Sequence, residues 1–407
     1  MNNRYLQFTQ SATLWLIVFA CISINLPTTF MSISVALIMT FWTISGKYNI
    51  KYNRIIQNPG SIAALILFLL YAVGVLYSSA PLDESLHSLM KYQKLLFIPL
   101  VISILTIDKF RIYAVNGFLF CTVFVLAISY LKWLELFPHT DIDQGYSVFR
   151  GRIAGSIFMA YGMYLMLYQT KKHTNWLRYA WLFASILASI NILFLVNGRT
   201  GQVLLIALLA WFTFEVWGLK TIKYWLAIII LGGVLYQNTP NLSESRLTSI
   251  GQEIKNHNGT EQYTSAGLRL EFYKNTFTLI KQHPIFGGGT GSLKSEYRPL
   301  AIKQNLLMVD VPNPHNQFLL TTQDLGIVGL LTLLTFWLVH WRMSYKLPNH
   351  FYGYALRGLI ITISIGSLFN SLLFDAGEGK FYCILAGVLL SSYLPNKNSH
   401  KNILRNE

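Results

Sequence analysis

The stretch PNPHNQFLLTTQDLGIVGLLTLLTFWLVH, residues 312–340, joins the two kinds of sequence found in this chain. Before it lies a long polar stretch, Gln237 to Pro314, and from Gln317 onward the sequence is almost continuously apolar. An apolar run of this length can cross the ~30 Å hydrocarbon core of a bilayer as an α-helix. The stretch therefore predicts a membrane helix with a histidine, His315, at its polar N-terminal end.

The composition of the whole chain is that of an integral membrane protein. Of its 407 residues, 53% are hydrophobic and 12% are charged, and the mean hydropathy is +0.43. Soluble domains carry about 25% charged residues. Apolar segments predict about twelve transmembrane helices. The segments lie at 11–38 (two spans), 60–77, 93–107, 112–131, 152–169, 178–196, 201–217, 222–236, 317–340, 355–374 and 380–394.

These segments predict an all-α polytopic fold in four parts. About nine N-terminal transmembrane helices occupy residues 1–236 and about three C-terminal ones occupy residues 315–394. Between them lies a large outer loop, residues 237–314, with helices of its own, and a basic tail follows at residues 395–407. The two halves show no internal repeat, which makes a non-catalytic transporter or flippase the weakest of the functional interpretations.

The distribution of the net charge of +15 indicates which loops lie in the cytoplasm. Basic residues gather in alternate loops, and the positive-inside rule assigns those loops and both termini to the cytoplasm. No basic stripe is interleaved with aromatic residues on a soluble face, which argues against binding of nucleic acid. The cytoplasmic residues are Lys47, Lys51, Arg54, Lys109, Arg111, Lys171, Lys172, Arg178, Lys220, Lys223, Arg342, Lys346, Lys397, Lys401 and Arg405.

The cysteines indicate neither a disulfide framework nor a metal site. Cys21, Cys121 and Cys383 lie in separate apolar segments, where cysteine is a small core residue. We predict no metal and no cofactor.

The outer loop carries an amphipathic helix followed by a glycine-rich turn. Apolar residues recur near the helical period over Ser265–Gln282, and His283-Pro284 ends the pattern. The turn contains Gly287 and Gly289, whose amides could form an anion-binding nest, although most glycine runs are only turns.

Several arginines lie where the outer ends of the helices are predicted. Arg199, in the turn Asn197–Gly201, and Arg152, at the start of another segment beside Arg150, would be costly if they faced lipid. They either snorkel to headgroups or bind an anion. Because guanidinium groups bind phosphate oxygens bidentately, the set suits a diphosphate. Its other members are in the loop, at Arg246, Arg269 and Arg298.

His315 begins a pattern that resembles a known family. Taken alone, it reads as a histidine satisfied by a nearby carbonyl. His315-Asn316 is, however, followed by Gly326-Ile327-Val328-Gly329, and this spacing after a long outer loop resembles the signature of the O-antigen ligase family. That family lies within a superfamily that includes O-antigen polymerases and bacterial O-oligosaccharyltransferases. The resemblance extends to Asn197–Gly201, to Arg269 and to Pro284–Gly291, and spans roughly residues 150–340.

The resemblance implies a GT-C-like membrane glycosyltransferase of lipopolysaccharide biosynthesis. An enzyme of this kind would transfer glycan from an undecaprenyl-diphosphate donor to a lipid A-core sugar hydroxyl, at the periplasmic face of the bacterial inner membrane. His315 would be the base, and Arg199 and Arg269 would bind the diphosphate, with Arg246 an alternative for the loop arginine. Asn316 or Asp310 would orient His315. The expected reaction is inverting and independent of metal. A polymerase or a protein-directed oligosaccharyltransferase would share this chemistry and differ in the acceptor. The residues expected to contact substrate are Arg152, Arg246, Arg298, Asn316, Gly287 and Gly289.

Overall fold

The structure, a computed structural model, describes residues 3–138, 145–196, 198–226, 264–306 and 308–394. All regular secondary structure in these ranges is helical, which confirms the predicted all-α fold. The helices are α1 Asn3–Ser23, α2 Thr28–Ile44, α3 Tyr48–Ile56, α4 Pro59–Leu76, α5 Leu82–Tyr92, α6 Phe97–Ile104, α7 Asp108–Trp133, α8 Arg152–Lys172, α9 Trp176–Ile190, α10 Arg199–Trp217, α11 Ser265–Ile280, α12 Ser292–Lys303, α13 Gln317–Ser344, α14 His350–Gly366 and α15 Ala376–Leu390.

Five helical segments of the described ranges are long and apolar enough to cross a membrane. They are Pro59–Leu76, Asp108–Trp133, Trp176–Leu195, Arg199–Leu226 and Gln317–Ser344. Helices α2 and α3 meet at a bend of 117° and make a sixth if they are taken as one span. The chain is therefore a helical membrane protein. The count of about twelve spans and the GT-C-like arrangement stay predictions.

Two of the predicted spans need comment. In place of a single span at 93–107 the structure has a short 3-10 turn, Gln93–Leu96, followed by α6, and the eight residues of α6 are too few to cross a bilayer. Most of the predicted span at 222–236 lies outside the described residues, as do much of the predicted loop 237–314 and the tail at 395–407.

The core is built around α8 and α15. Residues 156–166 of α8 and 381–390 of α15 are buried without interruption. Helix α8 packs against α7, α9, α10 and α14, and α15 packs against α6 and α14. A helix that is buried on all sides needs neighbours around its whole circumference. These two helices therefore set the positions of the others.

A buried ion pair joins α8, α10 and α14. The Arg357 guanidinium donates to the Glu215 carboxylate, and both side chains are 7% exposed. The hydroxyls of Tyr164 and Tyr168 donate to the other oxygen of Glu215. Because a buried charge is costly unless it is paired and hydrogen-bonded, these partners are needed to hold Glu215 in the core.

A fully buried amide helps to hold the segment between α14 and α15, residues 367–375, which we call the connector. Gln317 is fully buried at the start of α13. Its Oε1 accepts from the backbone N–H groups of Leu373 and Phe374, at 2.9 and 3.1 Å. Its Nε2 donates to Tyr92 and Thr321, and its own N–H donates to the Ser367 carbonyl at 2.9 Å. The connector is thereby fixed to the beginning of α13.

Replacing Gln317 by leucine should destabilise the protein. The substitution leaves the N–H groups of Leu373 and Phe374 buried without partners, at a cost of about 1–3 kcal/mol each. We expect a clearly lower midpoint of thermal unfolding for the purified protein in detergent. Gln304→Leu, an exposed change at the end of α12, is the matched control. Equal midpoints for the two variants would contradict this role of Gln317.

Candidate active site

The backbone of His315 is held in an unusual conformation. Its φ of 56° lies in the left-handed region, which is uncommon for residues other than glycine. The Asn313 side chain accepts from the His315 N–H at 2.9 Å, and the Tyr273 hydroxyl donates to the His315 carbonyl at 3.1 Å. The ring of Phe272 lies against the imidazole, with centroids 6.3 Å apart. Strain that is fixed by several neighbours in this way is typical of functional positions.

Tyr273 and Asn316 tie this turn to the connector. The Tyr273 hydroxyl also donates to the Leu368 carbonyl at 3.0 Å, and the Asn316 Nδ2 donates to the same carbonyl at 3.1 Å. Asn316 Oδ1 accepts from the Leu319 N–H at 3.1 Å and so caps α13. Both ends of the Asn316 side chain are thus occupied within the protein. Its role in the structure is to fix the start of α13, and its predicted contact with substrate has no support from this geometry.

Arg269 lies one turn before Tyr273 on α11 and acts on His315 electrostatically. Burial lowers the pKa of His315 below its ordinary value of 6.5, and the positive charge of Arg269 lowers it further. Burial raises the pKa of Tyr273, and the charge of the same arginine partly opposes this shift. Arg246, the alternative loop arginine, lies outside the described residues.

Arg199 begins α10, and α10 meets the connector at this end. The Asn370 Nδ2 donates to the Thr200 hydroxyl at 3.0 Å. The connector thus contacts the helix start that carries Arg199 as well as the turn that carries His315. These bonds bring the neighbourhoods of the two predicted catalytic residues to one end of the bundle.

Gly198 brings the start of α8 against the start of α10. A Cβ atom at Gly198 would lie only 2.8 Å from the Arg152 carbonyl oxygen and would also overlap Ser156. Only glycine allows this approach. Arg152 and Arg199, both half-buried, consequently lie on neighbouring helix starts.

Two other arginines have partners within the protein. Arg150 is buried and donates to the carbonyls of Ser23 and Ile24 at the end of α1, which is a structural role. Arg298, predicted to bind substrate, pairs with Asp310 at 3.6 Å on an exposed surface. The carboxylate of Asp310, which was predicted as one of two residues that could orient His315, is thus paired with Arg298.

The glycine-rich turn packs against α13 with its amides occupied. The N–H of Gly287 donates to the His283 carbonyl, and those of Gly288 and Gly289 donate to the carbonyls of Gln323 and Asp324, each at 2.9 Å. These bonds account for the turn without a ligand. The predicted contacts of Gly287 and Gly289 with the substrate therefore gain no support. The role of the turn in the structure is to anchor the loop to α13.

Gly326 lies at a break in α13 and packs against the backbone of this turn. Its φ is 63° and its ψ is −160°, so the helix is interrupted there. A side chain at this position would collide with the backbone of Ile285 and Phe286. The continuous helix that the sequence predicts over this stretch is therefore interrupted, and Gly326 packs against the backbone of the loop.

A cavity of about 500 Å³ opens beside the turn that leads to His315. Pro312 and Asn313 form part of its lining, and the Asn313 Nδ2 lies 3.5 Å from Asp375 Oδ1. Burial, and then Glu378, raise the pKa of Asp375 to about 7. Three lysines also line the cavity, which gives it an excess of positive charge suited to an anionic substrate. They are Lys91, Lys94 and Lys380.

Sequence reasoning missed the residues that assemble this site. Tyr273, Gln317 and Asn370 make the bonds that join α10, α11 and α13 to the connector. The available signal was a polar side chain at the end of an apolar segment, and Gln317 and Asn370 both fit it. Their partners, mostly backbone atoms of a distant loop, leave no trace in sequence spacing.

Within the described ranges, no group of three or more histidine, cysteine, aspartate or glutamate side chains is arranged to hold a metal ion. Asp141 and Asp143, which have Asp-x-Asp spacing, lie outside those ranges. Independence of metal stays a prediction.

Comparison with known proteins supports the family suggested by the sequence. Residues 183–334, more than a third of the chain, match the family described as O-Antigen ligase. The matched range contains Arg199, Arg269 and His315. No curated protein matches the chain. Members of this family are membrane glycosyltransferase-like enzymes that act on lipid-linked glycans and glycan acceptors. Over residues 183–334 the chain is similar to the O-antigen ligase family, in agreement with the resemblance carried by Arg199, Arg269 and His315.

Proposed function

We propose that this protein is an O-antigen ligase, which transfers glycan from undecaprenyl diphosphate to a sugar hydroxyl of lipid A-core at the periplasmic face of the inner membrane. One observation carries the proposal. The connector bonds both to the helix start that bears Arg199 and to the residues that hold the His315 turn, and Arg269 acts on that histidine. This arrangement, beside an open cavity, supports His315 as the base and Arg199 and Arg269 as the groups that bind the diphosphate.

In the proposed reaction the acceptor oxygen attacks the anomeric carbon of the donor glycan. His315 takes the proton from the acceptor hydroxyl, the new C–O bond forms, and the bond from the anomeric carbon to the diphosphate breaks. A single displacement of this kind inverts the anomeric configuration. The lowered pKa of His315 supports this role, since the imidazole is neutral at pH 7 and free to accept a proton.

Arg199 and Arg269 hold the leaving diphosphate in this mechanism. Negative charge grows on the diphosphate as its bond to the sugar breaks, and guanidinium groups that are already in position stabilise that charge. Arg269 serves the reaction twice, since its charge also keeps His315 neutral. Arg152, on the neighbouring helix start, contributes a third cation to the donor site.

The lipopolysaccharide of cells that express the variants shows which acceptor the enzyme uses. We expect His315→Ala, expressed in a deletion strain, to give core without attached polymer while long undecaprenyl-linked chains accumulate. Removal of a general base lowers the rate by about 10²–10⁴-fold. The profile is read on gels, together with extraction of the lipid-linked glycan.

His283→Ala is the matched control, since His283 is an exposed histidine of the same loop region, and immunoblots of the membrane fraction check the level of each variant. Core that carries a single repeat unit in the deletion strain would indicate a polymerase instead. A normal profile for His315→Ala would remove the base assignment.

Arg199→Lys should weaken binding of the donor. Lysine keeps the charge but loses the planar fork that binds two phosphate oxygens. Loss of one charge-assisted hydrogen bond, worth about 1.5–3 kcal/mol, corresponds to about 10- to 100-fold in affinity. Binding of undecaprenyl-diphosphate glycan to the purified protein measures this effect. Arg178→Lys, an exposed change, is the control, and unchanged affinity of the Arg199 variant would contradict the phosphate role.

The pH dependence of transfer should report the lowered pKa of His315. The base form of the imidazole grows as pH rises through its pKa, so kcat/KM should rise along an acid limb below pH 6.5 and level off by neutrality. Arg269→Gln removes a positive neighbour and should move the titration of His315 to higher pH. We would follow it by NMR of labelled histidine, because this variant also loses a donor contact. An acid limb at or above pH 6.5 in the wild type, or an unmoved titration, would contradict this account.

A further inference from the structure

A second cavity lies at the bend between α2 and α3, on elements that take no part in the candidate active site. Its volume is about 350 Å³, which lies within the usual range for small-ligand pockets. Lys47, Lys51 and Arg54 line it, and the lining residues that the structure describes include no aspartate or glutamate. Its other polar side chains include Gln10, Ser45 and Ser103. The cavity is therefore strongly cationic.

Well-ordered contacts hold the cationic side chains in place. Lys51 is buried, and its Nζ donates to the Trp42 carbonyl and, at 2.8 Å, to the Ser45 hydroxyl. The ammonium also lies 4.6 Å from the centre of the Trp42 ring. Arg54 donates to the Ser103 carbonyl at 3.2 Å, at the end of α6. These contacts fix the walls of the cavity, and the partner atoms named here are uncharged.

Helix capping alone does not account for this concentration of charge. A cation at a helix C-terminus is favourable, and Lys51 fills that position for α2. Lys47 lies beyond the end of α2 and in the left-handed region, with φ of 53°, and its side chain adds a second positive charge to the same cavity. The next carboxylate after the lining residues 103–107, that of Asp108, accepts hydrogen bonds from Arg111 and Tyr352.

The surroundings of the cavity are those of a membrane–water interface. Tyr48 and Tyr52 on α3 are 54% and 63% exposed, and Trp42 lies at the end of α2. Tyrosine and tryptophan are enriched at the level of lipid headgroups. The positive-inside rule assigns this bend to the cytoplasmic side, where anionic lipids attract basic residues. A cationic cavity between helices at this depth fits a lipid phosphate.

We propose that the cavity at the α2–α3 bend binds the phosphate of an anionic glycerophospholipid from the cytoplasmic leaflet. The headgroup phosphate contacts Lys47 and Lys51, and the acyl chains lie along the exposed apolar surface of α2. The site is separate from the transfer site, and it holds the bent pair against α1 and α6. This proposal is independent of the ligase assignment.

The test measures binding of defined lipids to the purified full-length protein in neutral detergent. Native mass spectrometry gives the apparent affinity for dioleoyl phosphatidylglycerol and for dioleoyl phosphatidylcholine. We expect a preference for phosphatidylglycerol of about tenfold or more. The double variant Lys47→Asn, Lys51→Met should lose that preference, because asparagine tolerates the left-handed conformation and methionine keeps the buried stem.

A matched double variant, Lys171→Asn with Lys172→Met, removes the same charge from exposed positions assigned to the same side. It should keep the preference. If the double variant in the cavity fails to fold, Lys47→Asn alone should lower the preference by several-fold. Equal binding of the two lipids by the wild type, or equal losses in both double variants, would overturn the proposal. Displacement of phosphatidylglycerol by inorganic phosphate would assign the cavity to free phosphate and overturn the lipid assignment.

Discussion

The arrangement of the candidate site depends first on the hydrogen bonds between the buried amide of Gln317 and the connector. They fix residues 367–375 to the start of α13. The connector in turn offers the Leu368 carbonyl to Tyr273 and Asn316, and Asn370 to Thr200. Three helices that are far apart in sequence thus meet on one short segment. Both ends of the Gln317 amide have hydrogen-bond partners, as a buried polar group in such a network requires.

The proposed chemistry depends on groups that are in position before substrate arrives. His315 is held by its backbone, through Asn313 and Tyr273, and among the described residues none hydrogen-bonds to its ring nitrogens. The strained backbone is retained because these neighbours over-determine it. Burial lowers the pKa of the imidazole, and the charge of Arg269 lowers it further. In the proposed mechanism the same cation also binds the leaving diphosphate.

The sequence was sufficient for the all-α fold class, for the resemblance that the family match supports over residues 183–334, and for the loop helix. Hydrophobic runs and the spacing of His315 from Gly326 are local signals, and such signals survive in a single sequence. Contacts between segments that are distant in the chain are not local signals, and a single sequence does not reveal them. Asn316 and Gly287 resembled ligand-binding residues because their types suit an anion, yet bonds to Leu319, Leu368 and His283 already occupy them. The break at Gly326 was equally hidden, because a glycine in an apolar run fits a continuous helix as well as a kink.

The central claim is that Arg199 and Arg269 act on one diphosphate. Binding of undecaprenyl diphosphate, the proposed leaving product, should be measured for the wild type, Arg199→Lys, Arg269→Lys and the double variant. Two groups on one ligand give a coupling energy of about 0.5–3 kcal/mol in such a cycle. We predict a coupling in that range, with the double variant losing less affinity than the sum of the single losses. Strictly additive losses, or full affinity in either single variant, would contradict the account.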